Sequence, residues 1–339
     1  MPDGTTILLW ITVAVALGFD FTNGFHDTAN AVATSISTRA LTPRVAVAAS
    51  AVLNLAGAIV ATQVLHTKVA DTIGGLVKPP GGVGLTMIIA ALAGAIVWNL
   101  ITWRAGLPSS SSHALIGGLI GMGLVGYGVH AVQWAKVGPV VIALVTSPLL
   151  GMIGAYLVMV LLLNAFRGAH PGRANRGFRR AQILSGAFVS FSHGANDAQK
   201  TMGVITLALL STGHLTLHGK EKFPAVPLWV VIAAAAAIGL GTYAGGWRII
   251  RTMGSRIIRL EPDAGFAAQT VAAAVIQGAT QAGLPVSTTH VVTGSVMGAG
   301  ATRRLAAVRW GVARRILVAW VLTIPAAALV AGGIALVAR

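Results

Sequence analysis

The residues best placed to do chemistry come in duplicate. Phe21-Thr22-Asn23-Gly24-Phe25-His26-Asp27 returns as Phe191-Ser192-His193-Gly194-Ala195-Asn196-Asp197. Gly106-Leu107-Pro108-Ser109-Ser110-Ser111-Ser112-His113 returns as Gly283-Leu284-Pro285-Val286-Ser287-Thr288-Thr289-His290. From Asp27 to Asp197 and from His113 to His290 the offsets are 170 and 177 residues, so the chain reads as two copies of one unit. Each copy sets a carboxylate and a hydroxyl cluster inside an apolar stretch. An ionised carboxylate at a bilayer centre costs roughly 2.5–3.5 kcal/mol on insertion scales, so it must be paired, protonated or bound to a cation. Asp27 and Asp197 are duplicated in register beside Asn23 and Asn196, and they read as a site for a driving cation or a proton. For a lone acid the plainer alternative is a cap on a broken helix or half of a buried ion pair.

The second pattern suits an oxyanion. Pro108 and Pro285 each precede a run of hydroxyls, Ser109 to Ser112 and Ser287 to Thr289. Proline and Ser/Thr favour helix starts, where free N–H groups and the positive end of the dipole collect. Ser110, Ser111, Ser112 and Ser287, Thr288, Thr289 are therefore two donor-rich cradles for a tetrahedral anion. Asn30 aligns with Lys200, the one lysine inside an apolar segment, which either offsets an aspartate or contacts the substrate. Asn30 joins Asn23 and Asn196 among the coupling candidates. Asp20, whose register partner is Ser190, and the histidines His113 and His290 are secondary candidates. No metal site is expected, because no histidine pair shows zinc-like spacing with a third ligand. The Asn23-Gly24 and His193-Gly194 steps are poor helix interiors and predict interrupted helices, whose freed carbonyls suit Na+ and whose N–H groups suit anions. Gly117 and Gly121, aligned with Gly294 and Gly298, read as close helix-packing surfaces.

The elements that must position these groups are membrane helices. Hydrophobic residues make up 55% of the 339 residues and charged ones 9%, against about 25% charged in soluble domains. Runs such as Val45–Val64, Val83–Trp103, Val137–Leu163, Val226–Trp247 and Ile316–Val337 are long enough to cross a bilayer as helices. The net charge of +16 is placed unevenly. Seventeen arginines fall at 39, 44, 104, 167–180, 248–259 and 303–315, while the intervening loops hold only Lys68, Lys78, Lys136, Lys220 and Lys222. That split is a topology signal rather than a nucleic-acid surface. It predicts about ten crossings, both termini outside, and opposite orientation of the Asp27 and Asp197 segments. The expected architecture is an all-α polytopic membrane protein, an inverted-repeat secondary transporter with interrupted helices or re-entrant hairpins at 107–128 and 284–301. Residues 1–166 form the first repeat, 167–180 a mobile basic cytoplasmic linker, and 181–339 the second repeat. Cysteine is absent, which excludes disulfides and thiol chemistry.

Asn23-Gly24-Phe25-His26-Asp27-Thr28-Ala29-Asn30-Ala31, Ser192-His193-Gly194-Ala195-Asn196-Asp197 and the Pro-Ser/Thr-His segments at 108–113 and 285–290 resemble the paired signatures of the PiT inorganic phosphate transporters. The tail Ala319-Trp320-Val321-Leu322-Thr323-Ile324-Pro325-Ala326-Ala327 is also similar, and the likeness covers nearly the whole chain. The nearest likeness is to the bacterial low-affinity phosphate permeases. The resemblance implies symport of inorganic phosphate, free or as a metal–phosphate complex, with H+ or Na+ and no cofactor. It places Asp27 and Asp197 at the substrate and cation centre, with the hydroxyls lining the phosphate site. It also implies a bacterial plasma (inner) membrane location and a homodimer. The Phe25-His26 form of the first motif differs from the Ala-Asn form of many Na+-driven relatives and points to protons. The rival functions are transport of another oxyanion such as sulfate, a passive anion channel, and an intramembrane hydrolase. A channel needs no cation-binding acids, and a hydrolase needs only one oxyanion site, so the chain reads as no enzyme.

Overall fold

Apolar runs with few charges become helices because a backbone shielded from water must satisfy its own N–H and C=O groups. The computed structural model describes residues 3–217, 223–256, 260–303 and 309–338. Of the loop charges weighed above, Lys220, Lys222, Arg259 and Arg304 lie outside the described residues, as does the side chain of Arg256. The described chain folds into α1 (Gly4–Ser37), α2 (Pro43–Gln63), α3 (Val69–Gly74), α4 (Leu85–Ala105), α5 (Ser111–Tyr127) and α6 (Trp134–Ala165). Then follow α7 (Pro171–Ser211), α8 (Leu228–Ala244), α9 (Trp247–Arg251), α10 (Pro262–Gln281), α11 (Thr288–Ala301) and α12 (Trp310–Val337). An isolated bridge between Val77 and Val132 is the sole β pairing among the described residues.

Among the described residues, five helices, α1, α2, α4, α6 and α12, are long and apolar enough to cross a membrane. α8 and the segment Trp247–Gly254 pass the same test together, across a bend of 58°. α5 and α11, with 17 and 14 residues, are short for a full crossing. Each follows a break that opens on a glycine with positive φ, Gly106 after α4 and Gly283 after α10. The breaks therefore fall at the Pro-hydroxyl motifs.

They do not fall at the aspartate motifs. α1 runs unbroken through Asn23-Gly24, and α7 through His193-Gly194. The expectation of interrupted helices there is overturned, and with it the supply of free backbone groups beside the aspartates. The physical reason is that these glycines serve approach, not turning. A Cβ on Gly194 would lie 2.0 Å from the Asn54 carbonyl oxygen of α2, and one on Gly24 2.3 Å from the Ile238 carbonyl oxygen of α8. Gly194→Ala should accordingly cost about 3 kcal/mol through forced separation of α2 and α7, read as a lower thermal midpoint in detergent. Gly177→Ala on the same helix, where nothing lies within 4 Å of the added atom, should be neutral or slightly stabilising.

The basic stretch at 167–180 also differs from expectation. α6 ends at Ala165 and α7 begins at Pro171, so most of that stretch, including Arg173, Arg176, Arg179 and Arg180, is the opening of a 41-residue helix. Proline at the first helical position starts it without losing a hydrogen bond.

The halves interlock. α5 packs on α12 and α11 on α6, while α1 packs on α8 and α7 on α2. Under the sequence register each of these is a contact between one half and the other, and each has its counterpart. The equivalent glycines Gly121 and Gly298 make the first two possible, lying where an added Cβ would strike the Ala328 and Met152 carbonyls. Two apolar clusters result. One takes Leu9, Val13, Ala16 and Phe19 from α1 with Ala198, Met202 and Ile205 from α7. The other takes Ala29, Val32 and Ala33 from α1 with Val189 from α7. The polar residues within 20–28 of α1 and 190–197 of α7 fall between them.

Candidate functional site

On α1 the residues Asp20, Asn23, Asp27 and Asn30 follow at intervals of three and four, and on α7 His193, Asp197 and Lys200 do the same. Such spacing puts each set on one helix face. The faces meet the N-terminal tips of α5 and α11. Ser110 and Ser287 are the N-caps there, accepting from the backbone N–H of His113 at 3.1 Å and of His290 at 3.2 Å. Ser111 and Ser112 open α5, and Thr288 and Thr289 open α11, all buried.

The two halves reach into each other's tips. From α1, Asn30 Nδ2 donates to Thr289 Oγ1 at 2.9 Å and to Thr288 Oγ1 at 3.3 Å. From α7, the register partner Lys200 donates through Nζ to Ser112 Oγ at 2.6 Å and to the Val286 carbonyl at 3.1 Å. Lys200 also pairs with Asp197 Oδ1 at 2.6 Å. Asn23 Nδ2 donates to Asp197 Oδ2 at 3.4 Å.

Asp27 is held from three sides. Thr289 donates to Oδ1 at 3.2 Å, His26 Nδ1 lies 2.7 Å from the same oxygen, and the Ser111 hydroxyl lies 3.0 Å from Oδ2. That hydroxyl is also 2.6 Å from Asn23 Oδ1 and has one proton to share. His26 Nε2 faces the Thr102 hydroxyl at 3.2 Å.

Between the carboxylates stands His193. Asn54 Nδ2 donates to Thr242 and Ser50, which leaves its Oδ1 to accept from His193 Nδ1–H at 2.7 Å. In a neutral ring so oriented, Nε2 carries the lone pair. It lies 3.6 Å from Asp197 Oδ2 and 3.9 Å from Asp27 Oδ2. One ligand atom from each of Asp27, His193 and Asp197 lies within 4.8 Å of the others. A lone pair facing two carboxylates is repulsive, and a proton or a cation among the three relieves it.

The structure thus brings together Asp27, Asp197, Asn23, Asn30, Lys200, Ser111, Ser112, Thr288 and Thr289. It sets others aside. Ser110 and Ser287 are spent on capping. Asn196 holds the loop before α11, donating to Thr280 at 2.9 Å and to the Leu284 carbonyl at 3.2 Å. His113 and His290 lie against each other, tilted by 35° with ring centroids 4.4 Å apart, and His290 stacks on Trp320 at 3.8 Å. They line a largely apolar cavity of about 840 Å³ between α6, α11 and α12. Asp20 stands apart on α1 with neither oxygen hydrogen-bonded.

Sequence reasoning missed His193, His26 and Asn54. A signal existed for two of them. In the register, Asn23 pairs with His193 and His26 with Asn196, so histidine and asparagine exchange places at two neighbouring positions. The exchange keeps one hydrogen-bonding ring on each helix while changing which carboxylate it serves. Asn54, on a helix with no motif, gave none.

The chain as a whole is similar to known proteins. The phosphate transporter family matches residues 23–172 and 165–331. A protein of Mycobacterium tuberculosis (strain ATCC 25618 / H37Rv) described as "Probable low-affinity inorganic phosphate transporter" is 50% identical over 95% of this chain and 76% of its own length. Proteins of the same description from Rhizobium meliloti (strain 1021) and Bacillus subtilis (strain 168) are 48% and 44% identical, over 94% and 96% of this chain and 92% and 96% of theirs. A solved structure described as "The sodium-dependent phosphate transporter" is 26% identical and superposes with a TM-score of 0.88, over 98% of this chain and 99% of that one.

Proposed function

From the premise that the chain belongs to the phosphate transporter family, we propose that it imports inorganic phosphate by proton symport. It is a phosphate transporter and not an enzyme. The observation that carries the symport reading is the crossed reach of Asn30 and Lys200 into the opposite half's helix tip. Each tip supplies hydroxyls and N–H groups, and one ammonium stands between them. That set suits a tetrahedral oxyanion, free or complexed with a metal ion, and needs no cofactor. The two halves act as an inverted repeat, 1–166 and 181–339, joined through the basic stretch at 167–180. Rocking one against the other exposes the buried centre to each side in turn. The arginine distribution supports both termini outside a bacterial inner membrane, and the family resemblance supports a homodimer.

The coupling ion binds among Asp27, His193 and Asp197. A ring nitrogen in place of a third oxygen favours a proton, since hard cations prefer oxygen ligands. The sodium-dependent description of the structural neighbour favours a second reading, Na+ coupling at the same trio. Purified protein in proteoliposomes decides between them. Labelled phosphate should accumulate under an inward proton gradient and not under a Na+ gradient alone, with sulfate failing to compete. Accumulation under Na+ alone would establish the second reading. Flux that ignores both gradients would remove symport altogether.

A further inference from the structure

We propose that Asp20 is a proton-binding site separate from the Asp27–Asp197 centre, and that its proton is loaded together with phosphate. The inference rests on the phosphate-transport reading and adds a second proton-carrying residue to the ion held among Asp27, His193 and Asp197.

Asp20 is fully enclosed, at 0% exposure, and neither carboxylate oxygen has a hydrogen-bond partner. Thr201 and Asn23 stand beside it, and the Thr201 hydroxyl is itself buried and unpartnered. The contrast with the centre is direct. Asp27 receives Thr289 and is flanked by Ser111 and His26, and Asp197 receives Lys200 and Asn23. Those charges are answered where they stand. The charge of an ionised Asp20 is not, and it would face the like charge of Asp197.

Among the described residues, the ionisable groups facing Asp20 are Asp197 and Lys200, both on α7. α2, α4 and α8 also pack on α1, but their ionisable groups Arg44, Arg104 and Tyr243 are all exposed. α5 meets α1 through Ser111, and its His113 is turned onto His290. α9, α10 and α11 meet α1 beyond Asp20, around Phe25, Ala31 and Asn30. Lys200 is already engaged by Asp197, Ser112 and the Val286 carbonyl. An enclosed carboxyl without a donor is costly as an anion and comfortable as an acid. The site therefore fits a proton.

Its position gives the proton a use. Asp20 precedes Asp27 by seven residues on the same face of α1, two turns or about 10 Å along the axis. A negative charge there opposes the arrival of an oxyanion at the Lys200 end of the centre, and a proton removes the opposition. Proton loading and phosphate binding then favour each other equally, as linkage requires. The second half has no counterpart, for Ser190 at the equivalent position simply donates to its own helix at the Gly186 carbonyl, 2.9 Å away.

The test uses the full chain in proteoliposomes, with two readouts on wild type and Asp20→Asn. One is phosphate–phosphate exchange without a gradient, which needs binding and alternating access but no net proton movement. The other is net uptake driven by an imposed pH gradient. The ratio of driven uptake to exchange should fall at least about tenfold in Asp20→Asn and be restored by Asp20→Glu with a displaced pH profile. An unchanged ratio overturns the proposal, and so does equal loss of both readouts. Should Asp20→Asn fail to insert, an Asp20→Glu protein whose pH profile matches wild type overturns it as well. Wild-type net uptake that is driven by a Na+ gradient and indifferent to a pH gradient rejects the proton site while leaving phosphate transport intact. Absence of wild-type exchange rejects the transport reading itself.

Discussion

Asp27→Asn is expected to lower gradient-driven phosphate uptake at least about a hundredfold while leaving the protein folded in the membrane. The carboxylate accepts from Thr289 and lies within hydrogen-bond distance of His26 and Ser111, across from His193 Nε2. An asparagine of nearly the same shape keeps one acceptor oxygen and turns the other position into an NH2 donor. That donor must face a hydroxyl or a ring nitrogen that previously gave or shared a proton. Hydrogen bonds to a charged group are worth about 1.5–3 kcal/mol each, and 1.4 kcal/mol is a factor of ten, so losing two of them accounts for the hundredfold. The substitution also leaves His193 with one carboxylate instead of two, so the attraction for a proton or cation at Nε2 weakens. Folding should survive because the apolar clusters on either side of this layer do not involve Asp27. Labelled phosphate uptake, normalised to protein recovered in the vesicles, measures the effect. Uptake near the wild-type rate would remove Asp27 from the mechanism.

What could be read from the chain alone was the part fixed by local chemistry. Pro108 and Pro285 followed by hydroxyls announced two helix starts, and Ser110 and Ser287 are the caps. Gly117, Gly121, Gly294 and Gly298 announced close packing, and an added Cβ at each would meet a backbone carbonyl within 2.5 Å. At Gly24 and Gly194 the structure departs from the sequence pattern because a glycine in a helix has two uses, turning and approach, and sequence does not separate them. The partners that decide the matter, α8 and α2, come from the other half of the chain. The same limit hid the crossed contacts of Asn30 and Lys200. Register shows that these residues correspond, but not that each serves the other half's cradle. His193 was hidden for a related reason, since its tautomer is set by Asn54 on a separate helix. The signals were clear within a segment and silent between segments, and the candidate centre is made almost wholly between segments.

Lys200→Met should be the most destabilising single change at the centre. The ammonium is 1% exposed and donates to Asp197, Ser112 and the Val286 carbonyl. Removing it leaves a buried carboxylate whose remaining direct donor is Asn23 at 3.4 Å. Breaking one partner of a buried pair costs about 3–5 kcal/mol, whereas replacing both partners is often close to neutral. Lys200→Met combined with Asp197→Asn should therefore recover much of the thermal midpoint lost by Lys200→Met alone. Transport should not recover, because the double variant removes both the ammonium offered to phosphate and one carboxylate of the trio. Phosphate itself supplies the discriminating measurement. A ligand at a hundredfold excess over its Kd stabilises the folded state by about 2.7 kcal/mol, so wild-type protein in detergent should unfold later when phosphate is added. In the double variant the midpoint should be near wild type without phosphate and insensitive to its addition. A double variant that still gained stability from phosphate would place the anion elsewhere, away from Lys200 and the helix tips it joins.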